Sequence, residues 1–161
     1  MATKIIKVDY NNEEHAKDLL FCLNGYAIDP MGGGEALKDD VIANLIPALQ
    51  KQQNVFSVLA YVEGKPAALI NCVEGFSTFN AKPLINIHDV VVLPDYRRKG
   101  LTALMFAEVE RIARAKGCCK LTLEVLEGND VAKAAYKKQG FSGYELDPKM
   151  GQAVFWQKSL T

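Results

Sequence analysis

His88-Asp89-Val90-Val91-Val92-Leu93-Pro94-Asp95-Tyr96-Arg97-Arg98-Lys99-Gly100-Leu101-Thr102-Ala103-Leu104-Met105-Phe106 is the stretch that decides how this chain folds. Three consecutive β-branched residues, Val90, Val91 and Val92, suit a strand buried on both faces. Pro94 has no N–H to give a sheet ladder, so the strand is expected to stop there. Beyond the basic triplet Arg97, Arg98 and Lys99, apolar residues recur at helical spacing through Leu101, Leu104, Met105, Val109, Ile112 and Ala113. A strand, a cationic turn and a helix start together make an anion site. The first helical N–H groups lack partners, and the helix dipole favours negative charge there. Gly100 lets phosphate oxygens come close to the backbone, and the basic side chains add formal charge.

Outside this stretch the composition is restrained. The 161 residues suit one domain, 1–161, with a real core. Lys+Arg and Asp+Glu both number 19, so there is no basic excess of the kind a nucleic-acid binder carries. Four cysteines (Cys22, Cys72, Cys118, Cys119) and two histidines show no metal-ligand spacing, so no metal is expected. The cysteines read as reduced, which fits a cytoplasmic protein. Met1 to Ile5 leads straight into a strand pattern without a signal-peptide apolar region, and no apolar run reaches membrane-spanning length. The expectation is a soluble cytoplasmic domain with neither membrane nor nucleic-acid partners.

In chain order, Lys4–Tyr10 reads as a strand. Asn11-Asn12-Glu13-Glu14 opens a helix expected to run to about Gly25. Tyr26 to Gly34, with Pro30 and three glycines, reads as a flexible loop, and Glu35 to about Gln52 as a second helix. Val55–Glu63 and Ala67–Gly75 read as a hairpin around Gly64-Lys65, and the central strand is expected from near Leu84. A helix over 100–117 leads to a strand from Leu121 to Val125, and a short helix from Gly128-Asn129-Asp130 ends at Gly140. Phe141–Glu145 and Ala153–Gln157 are expected to close the sheet, making about seven strands. The β-α-β stretch from 84 to 126 requires a parallel pair, whereas the hairpins require antiparallel ones. A mixed α/β sheet with helices on both faces follows.

Neither a G-x-G-x-x-G fingerprint nor a G-x-x-x-x-G-K-[ST] loop is present. Arg97-x-x-Gly100-x-Thr102 instead resembles the pyrophosphate signature R/Q-x-x-G-x-G/A of the GNAT-type N-acetyltransferases. Thr102 departs from the third small residue, and its hydroxyl offers a phosphate donor in exchange. A second stretch, Asn129-x-x-Ala132-x-x-x-Tyr136-Lys137-Lys138-Gln139-Gly140-Phe141, is similar to that family's N-x-x-A-x-x-x-Y-x-x-x-G-F motif. Positions 129, 132 and 136 share one helix face. The resemblance spans nearly the whole element order and implies the GNAT fold, with acetyl-coenzyme A as cosubstrate. It implies that Asn129 contacts the pantetheine arm, with Ala132 beside it, and that the Tyr136 hydroxyl protonates the departing thiolate. It also implies that Arg97, Arg98, Lys99, Gly100, Leu101 and Thr102 hold the pyrophosphate; Val90, Val91 and Val92 are expected to bind the cosubstrate beside them.

Acetyl transfer to an amine needs a neutral amine, a stabilised oxyanion and a protonated leaving thiolate. A backbone N–H within Val90–Val92 serves the oxyanion if the sheet ladder is interrupted there. His88 is the expected base, with Asp89 or solvent next; strict alternation would put those two residues on opposite faces, with Asn86 and Val90 sharing the face of His88. Tyr26, Asp29, Met31, Phe76 and Phe79 are expected to line a pocket for a small primary amine, with Asp29 attracting the cation. A non-catalytic acyl-coenzyme A binder is the competing reading, and it would not need Tyr136. A homodimer would use Ala153–Trp156 as an edge strand.

Overall fold

The first strand, β1 (Thr3–Lys7), runs into a polar stretch that starts α1 (Glu13–Ile28). Asn12 caps this helix by accepting the His15 N–H at 3.1 Å, and Glu13 and Glu14 occupy the first turn, where the dipole favours them. The computed structural model describes residues 2–161, which group into two compact units divided between Leu123 and Glu124. Among the described residues no helix is long and apolar enough to cross a membrane.

Gly25 does not end α1. A side chain there would place its Cβ 2.6 Å from Leu93 Cδ2, so this glycine is a point of close approach inside the helix. The segment expected to be a flexible loop is hydrogen-bonded throughout. Pro30–Gly32 forms a 3₁₀ turn, with Gly32 and Gly34 N–H donating to the Asp29 carbonyl and Glu35 N–H donating to Ala27. Leu37 N–H donates to Asn24 Oδ1 at 2.9 Å, which ties this segment to α1 and delays α2 (Asp39–Gln50) by four residues.

The sheet of the first unit is built from β1, β2 (Val55–Val62), β3 (Lys65–Ser77), β4 (Lys82–Val92) and β5 (Leu121–Leu123), in that order across the sheet. The first four are antiparallel neighbours, and β5 joins β4 in parallel after the crossover helix α3 (Leu101–Ala115). On one face Leu59, Leu69 and Val91 line up across β2, β3 and β4 beneath Leu19 and Cys22 of α1, with Leu45, Ile46 and Leu49 of α2 packed against them. Burying each such aliphatic side chain stabilises by about 1.5–3 kcal/mol. Ile70, Ile85 and Ile87 belong to the other face by register, and the buried side of α3 (Met105, Phe106, Val109, Ile112) packs on β2 and β4.

The second unit contains α4 (Asp130–Lys138) and the chain after it. The strands expected over 141–145 and 153–157 do not form, so the described residues hold five strands rather than about seven. The Ala153 N–H donates to the Tyr144 carbonyl at 2.9 Å across a turn at Asp147–Gly151. An isolated two-stranded ribbon is marginal at best. The edge strand assigned to a homodimer is therefore absent at 153–156.

Candidate active site

β4 changes its partners part-way along. Its parallel pairing with β5 covers Ile85↔Leu121, Asn86↔Thr122 and Ile87↔Leu123, and there it ends. β4 itself continues to Val92, paired on its other side with Ala68 to Asn71 of β3. Leu93 N–H donates to the Ala67 carbonyl at 3.0 Å, which sets the phase of that antiparallel ladder. By alternation Val91 exchanges bonds with Leu69, while the N–H and C=O groups of Val90 and Val92 point away from β3. They face the side on which β5 has stopped pairing. The Val92 carbonyl is taken up by Arg97 Nε at 2.9 Å.

The register also slips between Asn71 and Cys72: Cys72 pairs with Ile87 and Asn71 with Asp89, so His88 has no partner across β3. This β-bulge overturns the strict alternation expected from the sequence. Asn86 pairs with Val73 and Val90 with Ile70, which puts Asn86 and Val90 on opposite faces and Asn86 and Asp89 on the same, α1, face. His88 is exposed, and Asp89 is half-buried.

After β4, Pro94–Tyr96 forms a 3₁₀ turn, and the backbone enters the left-handed region at Arg98 (φ 61°) and again at Gly100 (φ 77°). For Arg98 this conformation is strained, of the kind structures hold at ligand-binding turns. Arg97, Arg98 and Lys99 are exposed, and Lys99 Nζ lies 5.8 Å over the Tyr96 ring. Leu101, only 2% exposed, anchors the start of α3 in the core, and Thr102 is half-buried beside it. No side chain caps α3, and its first turn holds no acid, whereas α1, α2 and α4 each begin with Glu or Asp. The open N–H groups and the dipole of α3 thus follow directly on Arg97, Arg98 and Lys99, an arrangement that suits an anion.

Asp29 is not a free anion awaiting an amine. Its Oδ1 accepts from the Met31 N–H at 3.0 Å, and its Oδ2 pairs with Arg97 at 2.9 Å. The Met31 N–H foremost, and then Arg97, hold the carboxyl below its usual value. The structure thus joins a residue assigned to the acceptor with one assigned to the coenzyme. Tyr26 lies close by: burial raises its hydroxyl first, and the charges of Asp89 and Asp29 add to that. Phe76 and Phe79 are elsewhere. Phe76 pairs with Pro83, Phe79 is 95% exposed in the turn beyond it, and Val92 lies nine residues, roughly 30 Å of strand, further along β4.

In the second unit Asn129 is the N-cap of α4, its Oδ1 accepting from Ala132 N–H at 3.2 Å, which leaves the side-chain NH₂ out of the cap. Tyr136 is half-buried and packs edge-on against Phe141, with ring centroids 6.3 Å apart. No group of three or more His, Cys, Asp or Glu side chains among the described residues is disposed to hold a metal ion.

In the first unit the edge of β4 thus opens past Ile87 and leads into a cationic helix start. Residues 23–141 match the family model described as the acetyltransferase (GNAT) family. The chain belongs to the GNAT acetyltransferases. It is 25% identical over 146 residues to the thialysine N-epsilon-acetyltransferase of Caenorhabditis elegans, covering 83% of this chain and 87% of that one. A 65-residue stretch is 37% identical to the glucosamine 6-phosphate N-acetyltransferase of Trypanosoma brucei brucei, and it spans 40% of this GNAT chain and 42% of that relative's length. The fold is that of AAC(6')-Iy, an aminoglycoside N-acetyltransferase solved with the bisubstrate analogue CoA-S-monomethyl-acetylneamine. The TM-score is 0.78 over 99% of both chains at 17% identity.

Proposed function

We propose that this GNAT protein transfers the acetyl group of acetyl-coenzyme A to a primary amine of a small molecule, by direct attack within a ternary complex. The observation that carries the reading is the edge of β4 past Ile87, left unpaired by β5 and leading straight into the cationic turn and the open start of α3. The diphosphate lies on the first N–H groups of α3, with Arg97, Arg98 and Lys99 balancing its charge. The thioester carbonyl then accepts from the N–H of Val90 or Val92, the two that point away from β3. The amines named for the relatives, glucosamine 6-phosphate and thialysine, support a small-molecule acceptor.

In the reaction the neutral amine nitrogen attacks the carbonyl carbon, and the carbonyl electrons move onto the oxygen held by the β4 N–H. As the C–S bond breaks, Tyr136 gives its proton to the sulfur, and His88 or Asp89 removes a proton from the nitrogen. Asn129 and Tyr136 enter this proposal through their motif. His88 enters through its place on β4, where the bulge frees it from cross-strand packing.

Two measurements test the reading. Coenzyme A and acetyl-coenzyme A should raise the melting temperature, whereas ATP should not, since a ligand of the folded state stabilises by mass action. Thiol release should then require an amine from a panel that includes thialysine, glucosamine 6-phosphate, neamine and spermidine. Stabilisation by coenzyme A with no thiol release from any amine would favour the non-catalytic binder instead.

A further inference from the structure

Beside the apolar row Leu59, Leu69 and Val91 runs a second row on the same face of the sheet, and it is polar: Ser57, Asn71 and Asp89 stand opposite one another across β2, β3 and β4. Ser57 Oγ donates to Asn71 Oδ1 at 2.6 Å, Asn71 Nδ2 donates to Asp89 Oδ2 at 3.0 Å, and the Tyr10 hydroxyl lies 2.8 Å from Ser57 Oγ. The carboxylate sets the direction of the whole chain. Asp89 can only accept, so Asn71 turns its NH₂ toward it and its carbonyl toward Ser57. Ser57 has one hydroxyl hydrogen, spent on Asn71, so Tyr10 must be the donor to Ser57. Three donors in series therefore end on one oxygen of Asp89.

Such a row is a costly thing to build into a core. Ser57 is only 1% exposed, and a buried hydroxyl is tolerated only because both neighbours satisfy it. Valines would fill the same space without that demand, so the row points to its terminus. There the other oxygen of Asp89 has no hydrogen bond and no ion pair among the described residues, and the guanidinium of Arg97 is taken by Asp29. By register Asp89 lies on the α1 face of the sheet, two residues from Val91, which packs beneath Leu19 and Cys22 of α1. A carboxylate held on one side and unmatched on the other is a receiver for a cation from outside.

We propose that Asn71, itself oriented by Ser57 and Tyr10, is a positioning residue that turns Asp89 so that its second oxygen receives the acceptor as an ammonium group, which gives up one proton to the base before its nitrogen attacks. This rests on the acetyltransferase reading above and adds to it a means of selecting cationic amines. The test measures KM for the acceptor and for acetyl-coenzyme A separately, with whichever amine of the panel the wild-type protein turns over fastest. Asn71→Leu should raise the acceptor KM about 10-fold or more, the weight of a hydrogen bond to a charged group, with the acetyl-coenzyme A KM within about two-fold. Ser57→Ala and Tyr10→Phe should raise it in the same direction by about two- to five-fold, and Ser57→Thr, which keeps the hydroxyl, should not. In an Asp89→Asn background Asn71→Leu should change the acceptor KM by less than about two-fold, because its effect acts through the carboxylate.

Additive effects in the double variant, or an unchanged acceptor KM in Asn71→Leu, would overturn the proposal and leave the row as packing. If Asn71→Leu does not fold, Tyr10→Phe carries the test from the far end of the row, and an unchanged acceptor KM in it overturns the proposal equally. A wild-type protein that acetylates no amine in the panel would overturn the acetyltransferase reading and this proposal together. An active wild type with indifferent variants would overturn this proposal alone.

Discussion

Replacing Asp29 with asparagine should tighten the grip on coenzyme A. In the ligand-free chain the Arg97 guanidinium is held by Asp29 Oδ2 at 2.9 Å, so a diphosphate arriving at the turn competes with a resident carboxylate. The two side chains are 51% and 23% exposed, a setting in which an ion pair contributes about 0.2–1 kcal/mol after solvent screening. Removing the competitor should therefore lower the Kd for coenzyme A by about 1.5- to 5-fold, most at low salt and least at high salt. The substitution is local, because an asparagine keeps the oxygen that accepts the Met31 N–H and preserves the 3₁₀ turn. Arg97→Ala should act oppositely, losing charge-assisted bonds worth about 1.5–3 kcal/mol and weakening binding about 10- to 100-fold. Titration calorimetry with coenzyme A at low and high sodium chloride reads both effects. If Asp29→Asn weakens binding, or tightens it equally at both salt levels, then Arg97 does not exchange its carboxylate for a phosphate and the assignment of the turn is wrong.

Other consequences can be checked separately. Tyr136→Phe should lower kcat by about 10²- to 10⁴-fold, the range of a lost general acid, with coenzyme A affinity unchanged in the same calorimetric titration. Leu69→Ala, at a site with no exposure, should cost about 2–5 kcal/mol and shift the urea midpoint without changing the slope. Burial foremost, with Asp18 beside one and Asp89 beside the other, pushes the Cys22 and Cys72 thiols up to about 12. Iodoacetamide near neutral pH should therefore spare both until denaturant is added, as peptide mapping would reveal. Because the Asp29 carboxyl is held below its usual value, the unfolded chain takes up that proton first as the pH falls. Its contribution is full above the ordinary carboxylate range near 4 and fades on acidification, so the stability gap between wild type and Asp29→Asn, followed by urea melts, should narrow progressively as the pH falls below that range.

The order of elements through β5 was legible because each carries its own local signal. The Val90–Val92 run, Pro94, the basic triplet and the α3 periodicity all act within a few residues of one another. What escaped was set by partners distant in sequence. The bulge at His88 depends on how β3 pairs with β4, and a run of valines reads the same in either register. The Asp29–Arg97 pair joins residues 68 apart. The glycines of 32–34 suggested slack, but Asp29 organises the turn, and a Cβ at Gly32 would lie 2.0 Å from the Tyr26 carbonyl oxygen, so that glycine marks tight folding-back. The polar row left a trace that could have been used: Ser57 and Asn71 are lone polar residues inside apolar runs, and each needed a buried partner. After Phe141 the alternation suggested strands, but alternation creates a strand only where a neighbour completes the ladder.

The extra residue in β4 has an evolutionary meaning. Every other position of that strand answers to a neighbour across the sheet, so a substitution there is judged first by fit. His88 answers to none, and the ladder resumes at Asp89 whatever side chain is inserted. Such a slot can exchange imidazole for carboxylate, amide or hydroxyl while the scaffold is conserved, so reactivity can diversify among descendants of one fold without first unfolding them.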